Sequence, residues 1–110
     1  DVVKLQSLKP QEFNQQIQEQ GCLVIDVRNP EEWATAHIEH AKLIPLTHLT
    51  QDINQYMQRR EQPVYVYCQH GVRSHQAGLL LLSLGFEKVY QLEGGLAQWI
   101  EAGLPCQTQI

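Results

Sequence analysis

The 110 residues carry eight Lys and Arg against twelve Asp and Glu, a formal charge of −4, with 43% hydrophobic and 18% charged residues. That length supports one packed core without disulfide staples, so a single domain over residues 1–110 is expected. The acidic balance supplies no positive field for nucleic acid or an anionic membrane, and the longest apolar run, Leu79 to Leu82, is far too short to span a bilayer.

In chain order, "VVKL" (2–5) reads as a short strand. "PQEFNQQIQEQG" places Phe13 and Ile17 one helical turn apart, with Pro10 near the start and Gly21 as the stop. "CLVIDV" is a nearly continuous β-branched run, the pattern of a strand buried on both faces. "NPEEW" then opens a short helix: Asn29 can cap, Pro30 suits the first helical position, and Glu32 stands three residues past the cap. "HIEHAKLIPL" turns into another strand, and Leu49, Ile53 and Met57 mark the core-facing stripe of a further helix. "PVYVYC" is a strand, "RSHQAGLLLLSLG" a helix stopped by Gly85, "KVYQL" a fifth strand, and "GGLAQWIEAG" a last helix. Short apolar runs alternating with helices predict a three-layer α/β domain, a parallel sheet covered by helices.

Three cysteines with no Cys-x-x-Cys pair argue against a zinc site and against a disulfide framework, and they fit a reducing, cytoplasmic setting. The chain opens on Asp1 rather than methionine, so localisation is weakly determined.

"CQHGVRS" occupies a handover from strand to helix, the place where open α/β sheets hold their ligands. Four residues separate Cys68 from Arg73. With Gly71 relieving the backbone, so short a loop can turn several N–H groups toward one point, and the following helix adds its unpaired N–H groups and positive dipole end. Such surroundings lower a cysteine's pKa from about 8.5, sometimes to roughly 3.5–7.5, which gives a thiol there reason to ionise. A strand-terminal cysteine alone is more often a small buried hydrophobe. Followed by Gly71, Arg73 and a helix, Cys68 is the candidate nucleophile.

This segment resembles the active-site loop of the rhodanese (thiosulfate sulfurtransferase) family, Cys-x-x-Gly-x-Arg. "VIDVRNPEEWATAHIEHAKLIPL" resembles the family's Asp-Val-Arg stretch and the His-Ile-x-(Gly)-Ala that follows it. "VYQLEGGLAQW" resembles its C-terminal Val-x-x-Leu-x-Gly-Gly-x-x-x-Trp. Two positions depart: Ala36 stands where glycine usually precedes the histidine, and His40 where glycine usually precedes Ala41, which puts local turn geometry in question.

The resemblance implies a rhodanese-like fold, with a mainly parallel five-stranded sheet flanked by helices. It also implies a single-domain sulfurtransferase without metal or organic cofactor. Cys68 would take the outer sulfur of thiosulfate or a persulfide donor and hold it as a persulfide. A cyanide or thiol acceptor, in some settings a protein thiol, would then remove it. The backbone of Gln69, His70, Gly71, Val72 and Ser74 would cradle the transferred sulfur. Arg73 would hold the loop through a carboxylate partner and add positive potential. Asp26 and Arg28 would mainly tie loops together beside the site. Related phosphatases and arsenate reductases carry five residues between cysteine and arginine, so the shorter loop favours sulfur. A non-catalytic interaction module is the other alternative, and retention of Cys68, Gly71 and Arg73 argues against it.

Gln69 and His70 stand where thiosulfate-adapted members often carry arginine or lysine. An imidazole of unperturbed pKa near 6.5 offers less positive charge at neutrality, so thiosulfate is expected to bind weakly. His37 reads as a hydrogen-bonded structural residue, and His40, His48 and His75 as surface residues. Trp33 and Trp99 read as packing residues, Gly94 and Gly95 as a tight turn near the catalytic edge. Cys22 reads as inert, and Cys106 as an exposed thiol. Nothing demands more than a monomer.

Overall fold

The computed structural model describes residues 4–19 and 21–108. Strands β1 (Gln6–Leu8), β2 (Leu23–Asp26), β3 (Lys42–Leu43), β4 (Val64–Tyr67) and β5 (Val89–Leu92) lie in the order β1-β5-β4-β2-β3, each neighbouring pair parallel. Parallel neighbours need crossovers, and these are supplied by helices α1 (Pro10–Gln16), α2 (Pro30–Thr35), α3 (Leu49–Tyr56), α4 (Val72–Ser83) and α5 (Gly95–Glu101). The expected α/β class with a five-stranded parallel sheet is therefore present.

Alternation along β2 and β4 divides the core in two. Leu23, Ile25, Val64, Val66 and Cys68 point to one face, where Leu49 and Ile53 of α3 and Ala77 and Leu81 of α4 cover them. Val24, Tyr65 and Tyr67 point to the other, beneath Phe13 of α1 and Leu96 and Trp99 of α5. Every residue of β2 and β4 is buried, as an apolar run covered on both faces requires. All strands share one direction, so β2, β4 and β5 hand over to α2, α4 and α5 at a single edge. The central strand, β4, delivers Cys68 there.

Two local expectations are corrected. The strand expected over 2–5 lies partly outside the described residues, and Lys4 and Leu5 carry no strand. Pairing begins instead at Gln6, opposite Tyr90, and brings Leu8 beside Leu92. On an edge strand this register is set by the partner, and only Leu8 of the three is buried. Helix α1 ends at Gln16 rather than running to Gly21. Its last turn tightens into i→i+3 bonds, Gln18 N–H to Gln15 O at 3.4 Å and Glu19 N–H to Gln16 O at 3.2 Å.

The two departures at the α2–β3 connection differ in consequence. Ala36 has an extended backbone, φ −167° and ψ 139°, which any residue adopts. His40 is exposed and left-handed, with φ +70°, where glycine would sit without strain.

Candidate active site

β4 ends on Tyr67, and Cys68 is the next inward-facing residue on the α4 side, 1% exposed. Gly71 stands at the N-cap of α4 with φ +109°, a conformation that an L side chain rarely adopts, and there it turns the chain back over the sulfur. The Gly71 N–H donates to Cys68 Sγ at 3.0 Å and the Ser74 N–H at 3.2 Å. These are two of the N–H groups expected to form the cradle. The thiol itself donates to Ser74 Oγ at 3.5 Å.

The loop carbonyls are committed elsewhere. Leu96 N–H donates to Cys68 O at 2.8 Å and Ala97 N–H to Gln69 O at 3.1 Å, so the first turn of α5 takes up both acceptors. Gly95 makes this approach possible: a Cβ there would lie 2.4 Å from Gln69 O. Carbonyls bonded to α5 and N–H groups aimed at the sulfur give the loop a fixed polarity.

Arg73, in the first turn of α4, reaches Glu32 of α2 in a two-pronged pair, Nη1 to Oε1 at 2.7 Å and Nη2 to Oε2 at 2.9 Å. Glu32 also accepts from the Asn29 backbone N–H at 3.2 Å, so the start of α2 holds the carboxylate in place. The hydrogen bonds from Arg73, working against partial burial, hold the Glu32 carboxyl down at about 2.

Asp26 and Arg28 form a second pair, 0% and 2% exposed, with Nη2 to Oδ2 at 2.8 Å and Nε to Oδ1 at 3.0 Å. The guanidinium also donates to Gln69 Oε1 at 2.9 Å and to the Ala36 carbonyl, which ties β2, the end of α2 and the loop together. Burial opposes the charge on Arg28, and the Asp26 carboxylate more than offsets it, so its pKa is raised.

The remaining loop side chains diverge. Gln69 turns inward to Arg28, His70 is exposed, and Val72 is 71% exposed. Beside the loop lies a cleft of about 290 Å³ lined by Arg28, Glu32, Thr35, Ala36, Gln69, Leu96 and Ile100.

Three features were not anticipated from the sequence. In the sequence Glu32 reads as a helix-start residue, and nothing there marks it as the partner of Arg73. The N–H groups of Leu96 and Ala97 carried no signal in their apolar side chains. Gln91 accepts from Ser74 Oγ at 3.1 Å and donates from Nε2 to Ser7 Oγ at 3.0 Å; a lone amide inside "VYQL" was the available clue.

Other candidates lie apart from this constellation. His37 is half-buried, stacked on Trp33 at 3.6 Å between centroids, with Nδ1 2.8 Å from Trp33 O. His40, His48 and His75 are exposed, and Trp99 is buried with Nε1 donating to Pro105 O at 2.9 Å. Cys22 and Cys106 are half-buried, and burial pushes both thiols up. Among the described residues no cluster of His, Cys, Asp and Glu could hold a metal ion, and no helix is long and apolar enough to cross a membrane.

Residues 9–102 match the family described as the rhodanese-like domain. A rhodanese-related protein from Thermoplasma volcanium superposes with a TM-score of 0.81 at 30% identity, covering 93% of this chain and 97% of that one. A thiosulfate sulfurtransferase from Pseudomonas aeruginosa superposes with a TM-score of 0.84 at 26% identity, covering 96% of this chain and 20% of that one. Among curated proteins, the tRNA uridine(34) hydroxylase of Chlamydia muridarum is 38% identical over 96 residues, 81% of this chain and 29% of that protein. The chain thus spans under a third of the length of that relative.

Proposed function

This chain belongs to the rhodanese-like domain family, and on that premise we propose that it is a sulfurtransferase working through a persulfide on Cys68. The observation that carries the reading is the pair of N–H groups, from Gly71 and Ser74, aimed at Cys68 Sγ at 3.0 and 3.2 Å. Donors fixed in that direction stabilise negative charge on the attacking sulfur without reorganising.

The chemistry runs in two half-reactions. The Cys68 thiolate attacks the sulfane sulfur of a donor, a new S–S bond forms, and the donor's remaining fragment leaves with the electron pair of the broken bond. A thiol or cyanide acceptor then attacks the outer sulfur and regenerates the thiolate. Cys68 is the nucleophile, and the loop from Gln69 to Ser74 supplies the cradle. Arg73 holds that loop through Glu32, while Arg28, fixed by Asp26, holds Gln69 from behind. Four residues between Cys68 and Arg73 leave a ring suited to one sulfur atom.

The steady-state test is thiocyanate formation from a sulfane donor and cyanide. Parallel double-reciprocal lines, lost in Cys68→Ser, are expected. Turnover retained by Cys68→Ser would overturn the reading.

A second reading draws on the 38% identity to tRNA uridine(34) hydroxylase. There this segment would serve the same tRNA modification, with Cys68 acting within a longer protein. The formal charge of −4 speaks against this segment holding RNA by itself. Nucleoside analysis of tRNA treated with the protein distinguishes the two readings.

A further inference from the structure

We infer that Gln91, held by Ser7, is a positioning residue that draws the Ser74 hydroxyl proton away from Cys68 and so restrains ionisation of the nucleophile. The inference rests on the sulfurtransferase reading above for the role of Cys68, and adds a residue that acts on it through another.

The observation is an amide in an apolar row. The sheet register aligns Ile25, Val66, Gln91 and Ser7 across β2, β4, β5 and β1. Ile25 and Val66 are fully buried on the face that Cys68 shares, under α4. An apolar side chain at position 91 would extend that row, whereas a half-buried amide needs a partner at each end. Both ends have one. Gln91 Nε2 donates to Ser7 Oγ at 3.0 Å, and Oε1 accepts from Ser74 Oγ at 3.1 Å. The Ser7 oxygen takes the amino end of the amide and leaves the carbonyl end for Ser74.

The direction of these bonds has a chemical consequence. The Cys68 thiol donates to Ser74 Oγ at 3.5 Å, and Ser74 passes its own proton to Gln91 or to the Gly71 carbonyl at 3.2 Å. The chain from Cys68 through Ser74 and Gln91 to Ser7 therefore runs outward, every hydrogen pointing away from the sulfur. A thiol suits that order. A thiolate needs the Ser74 proton turned back to it, against the pull of Gln91 Oε1, and a hydroxyl has a single proton for the two acceptors. Such restraint has a use, because a thiolate made too stable attacks more slowly, with a Brønsted coefficient of about 0.4–0.5.

Charged groups also lie around the loop. They are Arg73 with Glu32, the Asp26–Arg28 pair, the exposed His70, His75 and Glu93, and His48 and Asp52 at the start of α3. None of these bonds the Ser74 hydroxyl, so their influence is common to all the variants compared.

The experiment follows alkylation of Cys68 by iodoacetamide against pH, read by mass on the Cys68 peptide so that Cys22 and Cys106 do not contribute. It compares the wild type, Gln91→Leu, Ser7→Ala, Ser74→Ala and the Ser74→Ala/Gln91→Leu double variant. Removing one neutral hydrogen bond shifts an equilibrium about fivefold. Gln91→Leu is therefore expected to react about two- to threefold faster on the acid limb and about twofold slower on the alkaline plateau. Ser7→Ala, at an exposed position, is expected to move both limbs in the same directions by less. In the Ser74→Ala background, Gln91→Leu is expected to leave both limbs where they are. Limbs unmoved in Gln91→Leu, or moved by one common factor as altered access would do, overturn the inference. So does a slower acid limb in Gln91→Leu, or an effect that survives in the Ser74→Ala background. Sulfur loading of the wild type is measured alongside: its absence overturns the sulfurtransferase reading, while the alkylation profiles still decide the role of Gln91.

Discussion

Arg73 and Glu32 meet as a planar pair across the mouth of the site, at 2.7 and 2.9 Å, joining the first turn of α4 to the first turn of α2. Both side chains are about one-third exposed or somewhat less, at 36% and 28%. The pair's first consequence is geometric: the loop between Cys68 and α4 is held at its far end by another element of the fold.

The pair also sets a pH dependence. Glu32 ordinarily titrates near 4.5 and is held at about 2 by the hydrogen bonds from Arg73. A carboxylate whose folded pKa is depressed contributes stability that is fully present above the unfolded value and is lost as pH falls toward the folded one. Glu32→Gln is therefore expected to melt below the wild type by a constant margin above about pH 5, a margin that narrows between pH 4.5 and about 2. Thermal melts of both proteins across that range check it. A margin unchanged down to the lowest pH would show that the carboxylate charge is not what holds the loop.

Ser74 is fully buried, and its hydroxyl faces Cys68 Sγ, the Gly71 carbonyl and Gln91 at 3.5, 3.2 and 3.1 Å. One hydroxyl proton serves one acceptor at a time, so with a thiol present it goes to oxygen, and with a thiolate it turns to sulfur. Ser74→Ala is expected to slow sulfur loading about tenfold, the equivalent of one hydrogen bond of roughly 1.4 kcal/mol in the transition state. Gln91→Leu alone should change loading less, and in the Ser74→Ala background not at all. Single-turnover kinetics on the four proteins test this, and additive effects would contradict it.

At Gly95 the fold tolerates no side chain. A Cβ there would sit 2.4 Å from Gln69 O and 2.7 Å from Cys68 O. Gly95→Ala is expected to cost about 2–4 kcal/mol, from overpacking together with a left-handed backbone, and to displace the loop. Urea denaturation gives the stability and sulfur loading gives the loop. A folded variant with unchanged loading would show that α5 can move away freely.

His40 offers the opposite case. It is exposed with φ +70°, so His40→Gly relieves strain without removing a buried contact. The expected gain is about 0.5–1 kcal/mol, a rise in Tm of a few degrees, with sulfur loading unaltered. An unchanged or lower Tm would mean that histidine is comfortable in that turn.

What was legible in the sequence follows from what each element depends on. The buried runs of β2 and β4, the Asn29–Pro30–Glu32 helix start, and Leu49 and Ile53 of the α3 stripe are local patterns with local causes, and they appear where expected, while Met57, the third residue of that stripe, packs on the same core from just past the helix end with an extended backbone. β1 has no such local pattern, because an edge strand with two exposed polar residues takes its identity from β5. In the site, spacing and glycine content pointed to the loop itself. The partners of the loop were hidden because they arrive from α2, β5 and α5 through backbone N–H groups and through residues whose local roles were already sufficient, as with Glu32.

The most direct test of the account is the intact mass of the protein after incubation with a sulfane donor, before and after cyanide, for the wild type and for Cys68→Ser. The account predicts a gain of one sulfur atom on the wild type, its removal by cyanide as thiocyanate, and no gain on Cys68→Ser. A gain that persists in Cys68→Ser, or a wild type that takes up no sulfur from thiosulfate, benzenethiosulfonate or an organic persulfide, would contradict it.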